Sequence, residues 1–453
     1  MRYFRKHRGH YRLQVTNSEQ ASAHGGQVLV EALCQRFNLW GRLRQCQHLD
    51  PRTRKDQGFA PDAIVAQVLF TLTSGGVCLA DAERMGRDAV LLDLIGLDKG
   101  ADQTTLGEWL RAQSKESVLE LHRLNWDLVQ WLLQEAKPGR WRRAGCLDVF
   151  FDDTEIEVTG KHFEGARINY EGNLALSLQT LWVGPFWLDQ ILDGAADPSQ
   201  YLGEMLGQHE PVWSGQKSHL FVDSASSAAK YLKVIEAAHF TSWSVSYNKW
   251  TTVLERQAEA MPETAWSEPV LGPKTLEQAL WQRHQPGEAA HAYDFATVRR
   301  KEVGEMFWKY GHVACGKGEV NSAQLALERH QLKGGLEQRF SEVLSDLDLH
   351  HPPCQELIAN QAFYAITMLA YNLLIGLKVL EMPDADQGMR VRSIIRYLLT
   401  VPVTVSRHAR YVTATICVAA GWMKWWRVFL ERWLPKRKPG RPGREEEPGP
   451  QSG

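Results

Sequence analysis

At PGRWRRAG, Pro138 to Gly145, the spacing of apolar residues changes, and the change divides the chain into a helical part and a sheet-based part. From Gln27 to about Lys137, LVEALCQRF, DAIVAQVLFTL, AVLLDLIGL and LHRLNWDLVQWLLQEA repeat apolar residues three and four apart, which predicts amphipathic helices. Within this unit Asp102 to Arg111, DQTTLGEWLR, starts with helix-capping types and reads either as a helix-turn-helix segment or as one more bundle helix. After Gly145 the runs LDVFFDDTEIEV, LALSLQTLWV, HLFVDS and WSVSYN are strand-like. The helical stretch AAKYLKVIEAAHF lies between the last two, so the expected fold is α/β with parallel pairing.

Seven segments follow from spacing and composition: a basic flexible arm over 1–26, a helical unit over 27–137 that a helix-turn-helix reading of Asp102 to Arg111 would make a DNA-binding domain, the first part of a sheet core over 138–250, and an inserted mixed domain over 251–322. The second core part spans 323–385, basic helices 386–435 and a disordered tail 436–453. Phe363 to Leu380 is the most apolar stretch, but Thr367, Asn372 and Lys378 and its length predict a buried core helix. A hydrophobic content of 44% leaves room for a large core.

The formal net charge of -1 hides a lopsided distribution. Residues 1–56 hold eleven Lys/Arg against four Asp/Glu, and residues 388–444 hold thirteen against one. Basic ends around an acidic centre suit a polyanionic partner. KPGRPGR in the tail, with Arg437, Lys438 and Arg441, reads either as a minor-groove arm or as a solubilising tail. Seven scattered cysteines without a CxxC pair predict reduced thiols and a cytoplasmic setting, and MRYFRKHRGHYR lacks the apolar segment of a secretory signal. HHPPC (His350, His351, Cys354) lacks the second half of a zinc site.

Three acids stand beside apolar structure. VFFDDT drives an apolar run into Asp152 and Asp153, HLFVDS ends on Asp223, and Glu337 follows Lys333 by one turn in HQLKGGLEQRFSEVL. Each has an ordinary reading as a turn residue or a surface ion pair. Together, two strand-borne aspartates and a helix-borne glutamate are the hard oxygen donors a two-metal phosphoryl-transfer site requires.

The blocks LDVFFDDTEIEVTGKHFEGARINYEGN, LFVDSASSAAKYLKVIEAAHFTSWSV and HQLKGGLEQRFSEVLSDLDLHH, in this order, resemble the IS1380-like branch of the IS4-type DDE transposases of bacterial insertion sequences. The similarity covers roughly residues 27 to 400. It implies an RNase H-like core with Asp152, Asp223 and Glu337 as the metal-binding catalytic triad, holding two Mg2+ or Mn2+ ions. The family's Tyr, Arg, Glu, Lys signature is here His330, Lys333, Glu337 and Leu344. His330, Lys333 and Lys161 are the expected phosphate contacts near the site.

The resemblance implies a DNA transposase that binds terminal inverted repeats, cleaves strands by metal-activated water and transfers the freed 3'-hydroxyl. Its partners would be double-stranded DNA and a second copy in a synaptic dimer, with no membrane. Trp250 or Trp266 would either stack on an unpaired base or sit in the core. The alternatives are a transposase-derived DNA-binding protein that no longer cuts, or another RNase H-like nuclease.

Overall fold

The computed structural model describes residues 19–160, 162–248, 251–272, 274–302, 304–316, 322–408 and 411–433. A two-residue strand β1 (Ala21–Ser22) precedes seven helices: α1 (Gln27–Phe37), α2 (Leu39–Gln45), α3 (Pro61–Thr73), α4 (Leu79–Met85), α5 (Ala89–Leu94), α6 (Gln103–Arg111) and α7 (Lys115–Glu135). The sequence signals act as physics requires. The Asp102 carboxylate accepts from the Thr105 N–H at the start of α6, and Ser114 and Ser117 cap α7 reciprocally.

The centre is one mixed sheet. Its strands are β2 (Leu147–Glu157), β3 (Arg167–Ile168), β4 (Leu174–Val183), β5 (Phe186–Asp193), β6 (Ser218–Val222) and β7 (Ser242–Tyr247), with α8 (Leu202–His209) and α9 (Ala229–Ala237) between them. β5, β4 and β2 pair antiparallel in that order, and β6 and β7 then run parallel to β2. Next come α10 (Thr251–Glu259), β8 (Val270–Leu271), β9 (Thr275–His284), β10 (Tyr293–Glu302) and β11 (Lys309–Cys315).

The described residues of 251–322 mix helix and strand and join the core sheet. β11 pairs antiparallel with β7 and carries β10, β9 and β8 outward, so the segment extends the central sheet. Without it the β7 backbone would present an unpaired edge.

The chain returns through α11 (Ala323–His330), α12 (Gly335–Ser341) and α13 (Leu357–Glu381). By length and composition α13 is apolar enough to cross a membrane, yet it is buried inside the protein. Asn372 explains how a polar residue fits there. Its amide donates to Asn125 Oδ1 and to the Trp187 carbonyl, both at 2.7 Å, and its oxygen accepts from the Trp187 N–H at 2.9 Å.

After α14 (Val391–Ile394) the basic C-terminal stretch is not purely helical: β12 (Val403–His408) and β13 (Tyr411–Ile416) form a hairpin before α15 (Met423–Trp433). β1 adds a third strand, pairing Ala21 with Thr404. Residues 19–26, expected to belong to a flexible arm, are thus tied down; residues 1–18 lie outside the described residues. Gly26 permits the approach, because a Cβ there would lie 2.0 Å from the Leu398 carbonyl oxygen.

Candidate active site

VFFDDT does not end a strand. β2 continues to Glu157 and stays paired with β4, Asp152 opposite Thr180 and Asp153 opposite Gln179. The strand that ends is its parallel neighbour. Phe151 and Val222 form the last β2–β6 rung, so Asp152 and Asp223 stand at adjacent positions where β6 turns away into Ser224–Ser226. Removal of one neighbour gives a buried strand an open side for its acids.

Lys333, on the short turn Gln331–Gly334 between α11 and α12, reaches into this opening. Its Nζ donates to Asp152 Oδ2 at 2.7 Å and lies 3.4 Å from Asp223 Oδ1. Burial raises the Asp152 carboxyl above the ordinary range; Lys333 opposes the shift and Asp223 adds to it. Asp153 is pushed up to about 7, first by burial and then by Asp152, Asp223 and Glu155. Burial alone would lower Lys333, but the two aspartates outweigh it and raise it. Mutual repulsion among carboxylates around a shared cation position is an environment that a divalent ion would relieve, so the two aspartates fit a hard metal.

Glu337 is exposed on α12, one turn after Lys333. Among the described residues, no group of three or more His, Cys, Asp or Glu is arranged to hold a metal ion. The structure thus brings Asp152 and Asp223 together with Lys333, and no contact of Glu337 with them is seen among the described residues. Arg339 sets where α12 sits: its guanidinium lies 4.6 Å from the Phe150 ring centroid and 5.8 Å from that of Trp182. Phe150 in turn stacks on Phe221 at 4.7 Å, so the apolar residues before each aspartate form a floor for the helix that carries Glu337. Arg339 and this floor have no counterpart in the spacing argument; the i, i+2 offset of Arg339 from Glu337 gave no signal of its own.

The expected phosphate contact at His330 meets a buried imidazole with both nitrogens occupied. Nδ1 is 2.8 Å from Ser244 Oγ and Nε2 is 2.8 Å from Ser246 Oγ. His219 continues the row, bonded to Ser242 and Ser244. His330 is therefore a polar support beneath the site. Leu344 is buried, as its side chain requires. Trp266 is buried against the Arg299 guanidinium at 4.2 Å, which places it in the fold and not at a free base-stacking surface. Lys161, Trp250, Arg437, Lys438 and Arg441 lie outside the described residues.

Burial takes His330 from the ordinary 6.5 down to about 4. A folded value below the unfolded one means the unfolded chain binds the proton first, so stability is complete above pH 6.5 and falls between about 6.5 and 4. The expected loss is on the order of 3 kcal/mol at the acid end. Thermal melting of His330→Asn against pH measures it: the variant is less stable at pH 7 but shows a shallower decline below pH 6.5. An unchanged slope would contradict the assignment.

A mixed sheet that sets Asp152 on one strand beside Asp223 at the end of its parallel neighbour is an arrangement suited to metal-using phosphoryl transfer. The family model described as Transposase DDE domain group 1 matches residues 190–435, and the chain belongs to that family. Asp223 and Glu337 lie inside the match, and Asp152 precedes it. Membership makes this a transposase of a DNA-binding, phosphoryl-transfer class that typically uses divalent metals. A comparison with curated proteins finds no match.

Proposed function

We propose that this transposase binds the terminal inverted repeats of an IS1380-like insertion sequence and performs cut-and-paste cleavage and strand transfer with Asp152, Asp223 and Glu337. The observation that carries the reading is the shared cation position between two carboxylates on adjacent strands, 2.7 and 3.4 Å from one ammonium. The order β5, β4, β2, β6, β7, three antiparallel and two parallel, is the reason for reading the core as RNase H-like. When bound, Mg2+ or Mn2+ supplies Lewis acidity to the attacking water and to the leaving oxygen.

The chain's own residues do the positioning. Pairing of β2 with β4 fixes Asp152 on one flank, the turn after β6 presents Asp223, and α12 carries Glu337 one turn after Lys333. Arg390, Arg407 and Arg432 pair internally with Asp346, Asp93 and Glu381. Phosphate binding by this basic region would exchange these partners, which makes affinity steeply salt-dependent. Cutting two ends calls for two copies.

A second reading, a DNA-binding protein that no longer cuts, is favoured by one observation: Lys333 fills the position a metal would take while Glu337 stands apart. The test uses labelled duplex carrying the DNA that flanks the gene, with Mg2+. Release of strands ending in a 3'-hydroxyl is expected. Tight, salt-sensitive binding without cleavage would select the second reading.

A further inference from the structure

We propose that Lys333 is a built-in counter-cation: in the free protein its ammonium holds the place between Asp152 and Asp223, and divalent ions enter as it is drawn onto a DNA phosphate. The inference rests on the metal-site reading above. An ammonium and a metal cannot share these oxygens, because they compete for the same lone pairs and repel at a few ångströms. Lys333 and Asp152 are each 16% exposed, so water and salt screen the pair weakly. The pair is therefore a real competitor to metal.

The backbone beside Lys333 is uncrowded: the residue sits on the turn Gln331–Gly334, and a Cβ at Gly334 or Gly335 would meet nothing within 4 Å. Four rotatable bonds let the ammonium swing from carboxylate to phosphate without moving β2 or β6. A phosphate is the partner that would replace both aspartates for the ammonium. Metal and DNA binding are then linked reciprocally, each raising the affinity for the other. The nuclease site stays disarmed until an end is seated.

The test is Mn2+ binding to the full chain without DNA, followed by electron paramagnetic resonance of the free ion. Lys333→Met, unbranched and similar in length, is expected to bind Mn2+ at least about tenfold more tightly than the wild type. Lys333→Arg keeps the charge and is expected to bind as weakly as the wild type. Duplex DNA is expected to raise the wild-type affinity and to leave that of Lys333→Met little changed. If the Met variant does not fold, Lys333→Gln serves in the same comparison. Equal Mn2+ affinity in wild type and neutral variant, abolished in both by Asp152→Asn, overturns the counter-cation while the metal site stands. Binding in neither, or binding indifferent to Asp152→Asn, overturns both.

Discussion

Asp152→Asn is expected to lower strand cleavage at least about a thousandfold, because loss of a metal ligand removes several kcal/mol of transition-state stabilisation. DNA-end binding should change little, since Asn keeps the shape and the basic regions are untouched. The large effect belongs to Asp152 and not to the acid pair as a whole. Asp153 lies on the opposite face of β2 from Asp152 by strand alternation. Asp153→Asn is expected to retain most activity. Single-turnover cleavage of labelled ends measures both, and equal losses in the two variants would contradict the placement of the site.

The second large effect lies away from the chemistry. Asp189 is buried between two histidines, with His122 Nδ1 and His209 Nε2 each 2.8 Å from one of its oxygens. His122 belongs to α7 and His209 to α8, so the carboxylate on β5 joins the helical region to the sheet. Trp126 packs against both rings. Burial alone would raise the Asp189 carboxyl, but hydrogen bonds from both histidines win and hold it well below the usual carboxylate range. A depressed folded value contributes stability above about pH 4 and loses it as pH falls further.

Asp189→Ala leaves the buried His209 and the partly buried His122 without their acceptor and opens a polar gap. The expected destabilisation is about 3–5 kcal/mol at pH 7, read as a lower denaturation midpoint. His122→Ala, on the more exposed partner, is expected to cost less. A change under about 1 kcal/mol for Asp189→Ala would mean that the bridge carries little of the packing between α7 and β5.

Local signals in the chain resolved local structure. Helical spacing, the capping residues Asp102 and Ser114, and the polar residues inside α13 all point to what the structure contains. The run LDVFFDDTEIEV carries β2 past the paired acids: Glu155 to Val158 alternates polar and apolar, with Ile156 and Val158 buried while Glu155 and Glu157 are exposed, the pattern of a strand with one wet face. What the structure overturns is a turn at Asp152 and Asp153, since both stay paired with β4. Long-range pairings were not legible. Nothing near Ala21 announces Thr404, and nothing in residues 251–322 announces that β11 covers β7. The alternating VTVSRH of β12 lies inside the stretch 386–435 expected to be helical.

The site shows the same division. Strand-to-acid runs identified Asp152 and Asp223, while the bridge from Lys333 joins residues 181 apart in sequence and emerges only from the fold. At His330 the family signature implies a phosphate contact, while the fold turns its imidazole toward the serines of β7, a long-range pairing that no local signal announces.

The most direct measurement is an anomalous difference map from a crystal of the protein bound to its element ends and soaked in Mn2+. Mn2+ is expected between Asp152 and Asp223, with the Glu337 carboxylate turned in as a ligand and the Lys333 ammonium on a phosphate. Lys333 still bridging the two aspartates beside fully seated DNA, with no Mn2+ peak between them, would contradict it.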